Sequence, residues 1–175
     1  GTSSVLGQSA PDYRRAYQAQ ATRKSTFEQG WAQTFPGLTV EQMSITDPTK
    51  LDQEVKMQFG LKVPRYAEVL SSGLRFHPFG SGRSYTQAYA PLSERKFDLV
   101  MSGPWLNSFH YKYDLPAGFS VTDLPADVND ETPFGRMKMS GKVEGGKLVF
   151  QGEVAFTSAR IAAKDYPAFR AWLGR

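Results

Sequence analysis

The sequence predicts a mainly β protein: an antiparallel β-sandwich of roughly eight strands, with an N-terminal helix and a short C-terminal helix. Three observations carry this. Val55, Met57, Phe59, Leu61 and Val63 alternate with Lys56, Gln58, Gly60 and Lys62, the period-two pattern of a strand buried on one face. Glu144-Gly145-Gly146-Lys147 separates two further alternating runs, which is a hairpin signal because a tight two-residue turn needs positive φ angles. Between residues 38 and 157 strand follows strand with no helical segment between them, which favours antiparallel pairing and burial of one face of each strand in a sandwich.

The elements follow in order. Residues 1–11 are small and polar and read as a flexible N-terminal segment. Residues 12–175 read as one domain. Its helix spans 12–34, where Tyr13, Tyr17, Phe27 and Trp31 recur near a 3.6-residue period, Pro11-Asp12 supplies a start and Phe35-Pro36-Gly37 a stop. Strands then run over about 38–157: Leu38 to Thr46, Val55 to Val63, short pieces at Tyr66 to Leu70 and Leu74 to Phe76, and a face of Phe97, Leu99 and Met101. Next come Phe109, Tyr111, Tyr113 and Leu115 on one face, then Phe119 to Leu124, and the two arms of the 144–147 hairpin. His77 to Ser93, rich in Gly, Pro, Ser and Tyr, reads as a long loop, and Pro125 to Pro133 as a polar connection. A helix over 166–173 closes the chain, with Pro167 in its first turn and Tyr166, Phe169, Trp172 and Leu173 on one face.

Composition narrows the chemistry. The chain has 175 residues, 40% of them hydrophobic, enough for a core and against disorder. It has no cysteine, which excludes disulfides, thiolate catalysis and every cysteine-based metal site. Two histidines exclude a three-histidine metal site. The balance of 21 basic and 17 acidic residues gives +4, too mild to argue for nucleic acid as a partner. No run approaches the ~18 consecutive apolar residues of a membrane helix. The first residues lack the basic and apolar regions of a signal peptide, and the start on Gly1 points to a processed or excised chain.

Several groups invite a chemical reading. A serine–histidine–acid triad would use His77 or His110, but no Gly-x-Ser-x-Gly elbow is present, and Gly80-Ser81-Gly82 reads as a turn. Asp123, Asp127, Asp130 and Glu131 cluster as paired carboxylates or oxygen ligands for calcium would, yet their spacing fits a solvated connection better. The glycine pairs lack the following helix of a phosphate loop. Arg14, Arg15, Arg23 and Lys24 make the first helix basic and read as a solvated face. Aromatics are the enriched class, with 12 Phe, 8 Tyr and 3 Trp. Tyr85, Tyr89 and Trp105 fall in or near loops, where ring faces can stack on sugars or peptides, although core and rim packing uses the same residues. They are the candidate ligand-binding residues, and no metal or cofactor is expected.

The order of short motifs resembles one known family. The helix ending in Phe35-Pro36-Gly37, VKMQFGLKVP over 55–64, ERKFDLVMSGP over 94–104, YDLPAGFSVTDLP over 113–125, TPFGRMKMS over 132–140 and KDYPAFRAWL over 164–173 are similar to the C-terminal region of bacterial transglutaminase-like proteins that carry an N-terminal domain of unknown function. The resemblance implies an accessory β-sandwich placed after a transglutaminase core. The catalytic cysteine, histidine and aspartate of that chemistry lie in the core, and this chain has no cysteine, so no catalytic residue carries over. The resemblance implies a non-catalytic role, an adjacent transglutaminase-like domain as partner, and a periplasmic or cell-surface location. Arg95, which matches an arginine ahead of the family's Phe-Asp-Leu strand, is implied to be a structural salt-bridge partner. The alternative is a carbohydrate- or peptidoglycan-binding sandwich module.

Overall fold

The computed structural model of the protein describes residues 1–78 and 84–174. It is mainly β, with antiparallel sheets, helices near the N-terminus and a short helix at the C-terminus. Where the sequence suggests one domain over 12–175, the chain divides into two compact units, Gly1–Phe76 and His77–Arg175. Each has its own sheet and its own apolar cluster, and the boundary falls at the start of the Gly-, Pro- and Ser-rich stretch that the sequence marks over 77–93.

The first unit holds β1 (Thr2–Val5), α1 (Ala10–Ala16), α2 (Arg23–Trp31), β2 (Thr39–Ile45) and β3 (Val55–Lys62), followed by the small hairpin β4 (Glu68–Leu70) and β5 (Gly73–Arg75). Its main sheet has the order β1-β3-β2. The opening residues are not free: Thr2 to Val5 pair antiparallel with Gln58 to Val55, and the Gly1 ammonium donates to the Phe59 carbonyl at 2.7 Å. A four-residue strand with one apolar side chain, whose partner lies some fifty residues away, leaves no local pattern to read. β3 is the central strand and buries Val55 and Met57, as its alternation requires.

The single helix expected over 12–34 is two. Tyr17 leaves helical geometry at φ −109°, Ala19 is extended, and a 3-10 turn over Gln20–Thr22 precedes α2. The apolar stripe is empty in the middle, at Gln20, Ala21 and Lys24, so packing does not hold a continuous helix there. Arg23 Nε closes the break by donating to the Tyr17 carbonyl at 2.7 Å. Phe27 is the buried residue of α2 and packs on Phe59, with ring centroids 5.0 Å apart. Glu28 accepts the Val40 N–H at 2.7 Å, next to the register irregularity between Val40 and Gln42 in β2.

The second unit holds α3 (Tyr85–Tyr89), β6 (Leu99–Val100), β7 (Trp105–Asp114), β8 (Val128–Thr132), β9 (Gly135–Glu144), β10 (Lys147–Phe156), β11 (Arg160–Ile161) and α4 (Tyr166–Leu173). Eleven strands are therefore found among the described residues rather than roughly eight. The additions include short ladders such as β1 and β11, below the length at which alternation shows. The large sheet has the order β7-β10-β9-β8, and β6 pairs with β11. Gly145 and Gly146 turn the β9–β10 hairpin at φ +58° and +76°, with Glu144 opposite Lys147, as the sequence requires.

Three sequence readings change here. The loop expected over 77–93 contains α3, with Ser84 Oγ accepting the Gln87 N–H at 3.2 Å. The stretch 79–83 lies outside the described residues. Phe119 to Leu124 is irregular rather than a strand, and the neighbouring "polar connection" supplies β8 instead. β8 is an edge strand with one paired side, so it tolerates a sequence as polar as Val-Asn-Asp-Glu-Thr. Of the face expected for Phe97, Leu99 and Met101, Leu99 and Met101 reach the core while Phe97 is exposed.

The core of this unit is α4 against the sheet. Tyr166, Phe169, Trp172 and Leu173 are all buried, with Met137, Val154, Phe156 and Ile161. Phe156 meets Phe169 and Trp172 at 5.7 Å each, and Phe134 meets Phe169 edge-on at 5.5 Å. Burying each such side chain contributes about 1.5–3 kcal/mol. Gly135 permits the close approach: a Cβ there would overlap the Ala155 carbonyl oxygen and lie 3.0 Å from Trp172 Cη2. Asp98 ties β11 to the turn ahead of α4, accepting from Ala163 N–H at 3.0 Å and from Arg160 Nε at 2.8 Å. The first of these bonds, then the arginine, holds its carboxyl below the ordinary aspartate range.

Two predictions follow from this packing. Gly135→Ala should lower stability by about 1–3 kcal/mol, read by urea denaturation, because backbone on the opposing strand must move. Asp98 has a depressed folded-state pKa, so its contribution is present above the ordinary value of about 3.9 and lost as pH falls through the folded value. Thermal midpoints measured from pH 6 down to pH 2 should therefore fall less steeply for Asp98→Asn than for the native chain.

Candidate functional site

The sequence-predicted aromatics come together. Tyr85 and Tyr89 lie one turn apart on α3, and Trp105 opens β7. Their rings stack on one another, Tyr85–Tyr89 at 6.3 Å, Tyr85–Trp105 at 6.1 Å and Tyr89–Trp105 at 5.7 Å. Phe156 supports the group from the core, 4.8 Å from Tyr89 and 4.6 Å from Trp105. All three are half-buried, and the Trp105 indole N–H is shielded from solvent with no acceptor. A shielded donor left unpaired costs roughly 1–3 kcal/mol, and the indole N–H of Trp172 in the core is in the same condition. The cluster extends along β7: Tyr111 stacks on Phe109 at 5.5 Å, and burial, then Tyr113 and Tyr85, push its phenol pKa up.

Among the described residues Arg95 forms no salt bridge. Its guanidinium lies over the Tyr166 ring at 5.7 Å, and its Nε donates to the Phe97 carbonyl at 3.3 Å. The preceding carboxylate, Glu94, is exposed, and the buried Tyr166 ring is the nearer surface for a planar cation. The carboxylate that does carry structure in this segment is Asp98, which composition alone gives no reason to single out. Tyr166 also donates its hydroxyl to the Leu92 carbonyl at 2.9 Å, so one buried residue holds this segment at both Leu92 and Arg95.

Among the described residues the remaining candidates do not assemble into a site. His110 is exposed on β7 opposite Gln151. The Gly80-Ser81-Gly82 turn lies outside the described residues. Asp123 and Asp127 are in the irregular segment, while Asp130 and Glu131 are consecutive in β8 and point to opposite faces of the sheet. Among the described residues no group of three or more His, Asp or Glu is placed to hold a metal ion. No helix is long and apolar enough to cross a membrane.

The first unit carries a feature that sequence reasoning missed. An open cleft of about 790 Å³ runs between α1 and the loop over 47–54. Leu6 and Leu51 on its walls are 67% and 79% exposed. Arg14 fixes the loop against the helix by donating to the carbonyls of Lys50 at 2.8 Å, Pro48 at 3.4 Å and Gln53. Asp47 shapes the loop by accepting from Thr49 N–H at 2.9 Å and Thr49 Oγ1 at 2.7 Å, bonds that lower its pKa. Arg23 and Lys24 likewise donate to backbone carbonyls, so most of the basic residues expected on a solvated face are structural clasps. Arg15 and Lys24 both stay exposed, and Arg15 lies 3.8 Å from Asp12. The sequence signal was present in Leu51 amid Asp47-Pro48-Thr49-Lys50, an apolar residue in a turn.

A family model described as a domain of unknown function, DUF3858, matches residues 73–174. That span covers all the described elements of the second unit and includes the aromatic cluster and α4. No curated protein and no solved structure matches the chain. The match covers more than half of the sequence, and the chain belongs to the DUF3858 family of domains of unknown function.

Proposed function

We propose that the chain is a non-catalytic accessory or interaction domain of a transglutaminase-like, exported multidomain protein, working in the periplasm or at the cell surface. Its partner in this reading is the adjacent transglutaminase-like catalytic domain. The order of short motifs over residues 14–173 and the absence of cysteine support the assignment. The observation that carries the interaction role is the cleft beside α1. Exposed Leu6 and Leu51 flank an apolar floor that includes Val5, Ala10 and Pro11. A contiguous apolar surface with polar neighbours is what a docked domain leaves when it is taken away. Arg14 pins the 47–54 loop to α1, which supports a surface that needs little ordering on binding.

A second reading, a carbohydrate- or peptidoglycan-binding module, is favoured by one observation: Tyr85, Tyr89 and Trp105 converge beside a shielded indole N–H that has no acceptor. The rings spend much of their faces on each other, which places this reading second.

One titration separates the two. The transglutaminase-like domain, or peptidoglycan fragments, is added to the chain and binding is followed by calorimetry. Full burial of two leucines is worth about 1.5–3 kcal/mol each, so Leu6→Lys with Leu51→Lys should weaken domain binding by at least about tenfold. The thermal midpoint should stay unchanged. Unaltered affinity in the double variant refutes the cleft as the docking surface. Fragment binding that is lost in Tyr85→Ala moves the assignment to the second reading.

A further inference from the structure

The two outer strands of the four-stranded sheet, β7 and β8, are joined by residues 115–127, and this connection runs from one edge of the sheet to the other. It crosses on the face that carries α4. Gly141 is aligned with Phe150, and alternation puts both on the side of the strands that also carries Met137, Val154 and Phe156. Leu124 Cδ2 and Phe150 Cδ2 flank the space that a Cβ at Gly141 would occupy, at 3.6 and 3.2 Å. The missing side chain leaves a notch, and Leu124 fills it. The two ends of this face are therefore covered differently. α4 covers one end with four buried side chains. The crossing segment has no buried residue: Leu115, Val121 and Leu124 are half-buried, and every other residue of it is exposed.

Polar contacts do not hold the segment either. Among the described residues, 116–126 make no hydrogen bond or ion pair to any other element. Their one bond is internal, from the Phe119 N–H to the Pro116 carbonyl at 3.1 Å. Pro116 and Pro125 have no N–H to give, and the other backbone groups are left to water. A segment with few buried apolar contacts and a solvated backbone opens at far lower cost than a packed element. Its two ends are fixed by the Asp114–Lys147 and Val128–Met139 pairings, so it can lift without the strands parting. We infer that residues 115–127 are a strap latched by Leu124, which opens as a unit while the sheet and α4 stay folded. In the closed state Leu124 sits in the notch over Gly141, beside Phe150; in the open state it uncovers them. One side chain thus gates this end of the apolar face, and access to Phe150 scales with the fraction of chains that are open.

The chain has no cysteine, so a single introduced thiol reports on its own site alone. Labelling of Leu124→Cys by a thiol reagent is compared with that of Val154→Cys, a position 1% exposed in the α4 core. In the whole, folded chain Leu124→Cys should react at least about a hundredfold faster than Val154→Cys, at a rate that low urea barely changes, because local opening exposes little surface. It should still react at least about tenfold slower than the same thiol in the unfolded chain. Equal rates and equal urea slopes at the two sites would mean that the strap leaves only when the unit unfolds, and overturn the proposal. A rate equal to that of the unfolded chain would mean that no closed state exists, and overturn it as well. Limited chymotrypsin digestion checks the native sequence with its latch intact. It should cut after Phe119 or Leu124 and leave the two fragments folded together. A strap that stays uncut until the sheet unfolds would overturn the proposal.

Discussion

The second unit depends on one contact: the aromatic face of α4 laid on the β9–β10 end of the sheet. Tyr166, Phe169 and Trp172 are fully shielded there and interlock with Phe156 and Phe134. Everything else in the unit is arranged by it. Gly135 is small because the helix and the neighbouring strand come so close. Asp98 fixes the turn that aims α4, and Tyr166 reaches out of the core to hold the chain at Leu92. Trp105, Tyr85 and Tyr89 continue the same packing outward from Phe156, so the candidate ligand cluster is the rim of the core rather than a separate construction.

The first unit is held differently. Its apolar core is small, and cations donating to backbone carbonyls take up part of the work. Arg14 closes the loop over 47–54, Arg23 bridges the break between the two helices, and Lys24 reaches the Glu41 carbonyl. Hydrogen bonds from charged donors are stronger than neutral ones, and each satisfies a carbonyl that a loop leaves without a partner. The cleft follows from this arrangement: a loop pinned by its backbone leaves its apolar side chain, Leu51, facing outward.

Strong periodicity was legible in the sequence. The alternation of β3, the double-glycine hairpin and the four apolar residues of α4 all predict what is found, because each pattern is local and each face is buried. What failed was non-local or unpatterned. β1 is defined by a partner some fifty residues away, and β8 is polar because it is an edge. The continuous first helix failed because one turn of apolar spacing at each end suggests a stripe that the middle does not sustain. Of the candidate residues, Tyr85, Tyr89 and Trp105 were picked out from composition and position, and the fold brings their rings together. Asp98 and Arg14 were not, since a single charged residue acquires its role only from the backbone groups that folding brings to it. Arg95, read as a salt-bridge partner, lies over a ring, with no carboxylate partner among the described residues.

Hydrogen exchange of the intact chain under native conditions tests the central claim about α4 most directly. If α4 is the element on which the second unit rests, its amides and those of β10 exchange together and slowest in that unit, through one cooperative opening. Faster exchange of α4, by orders of magnitude and with the β10 amides still protected, would show that the sheet stands without the helix and contradict the account.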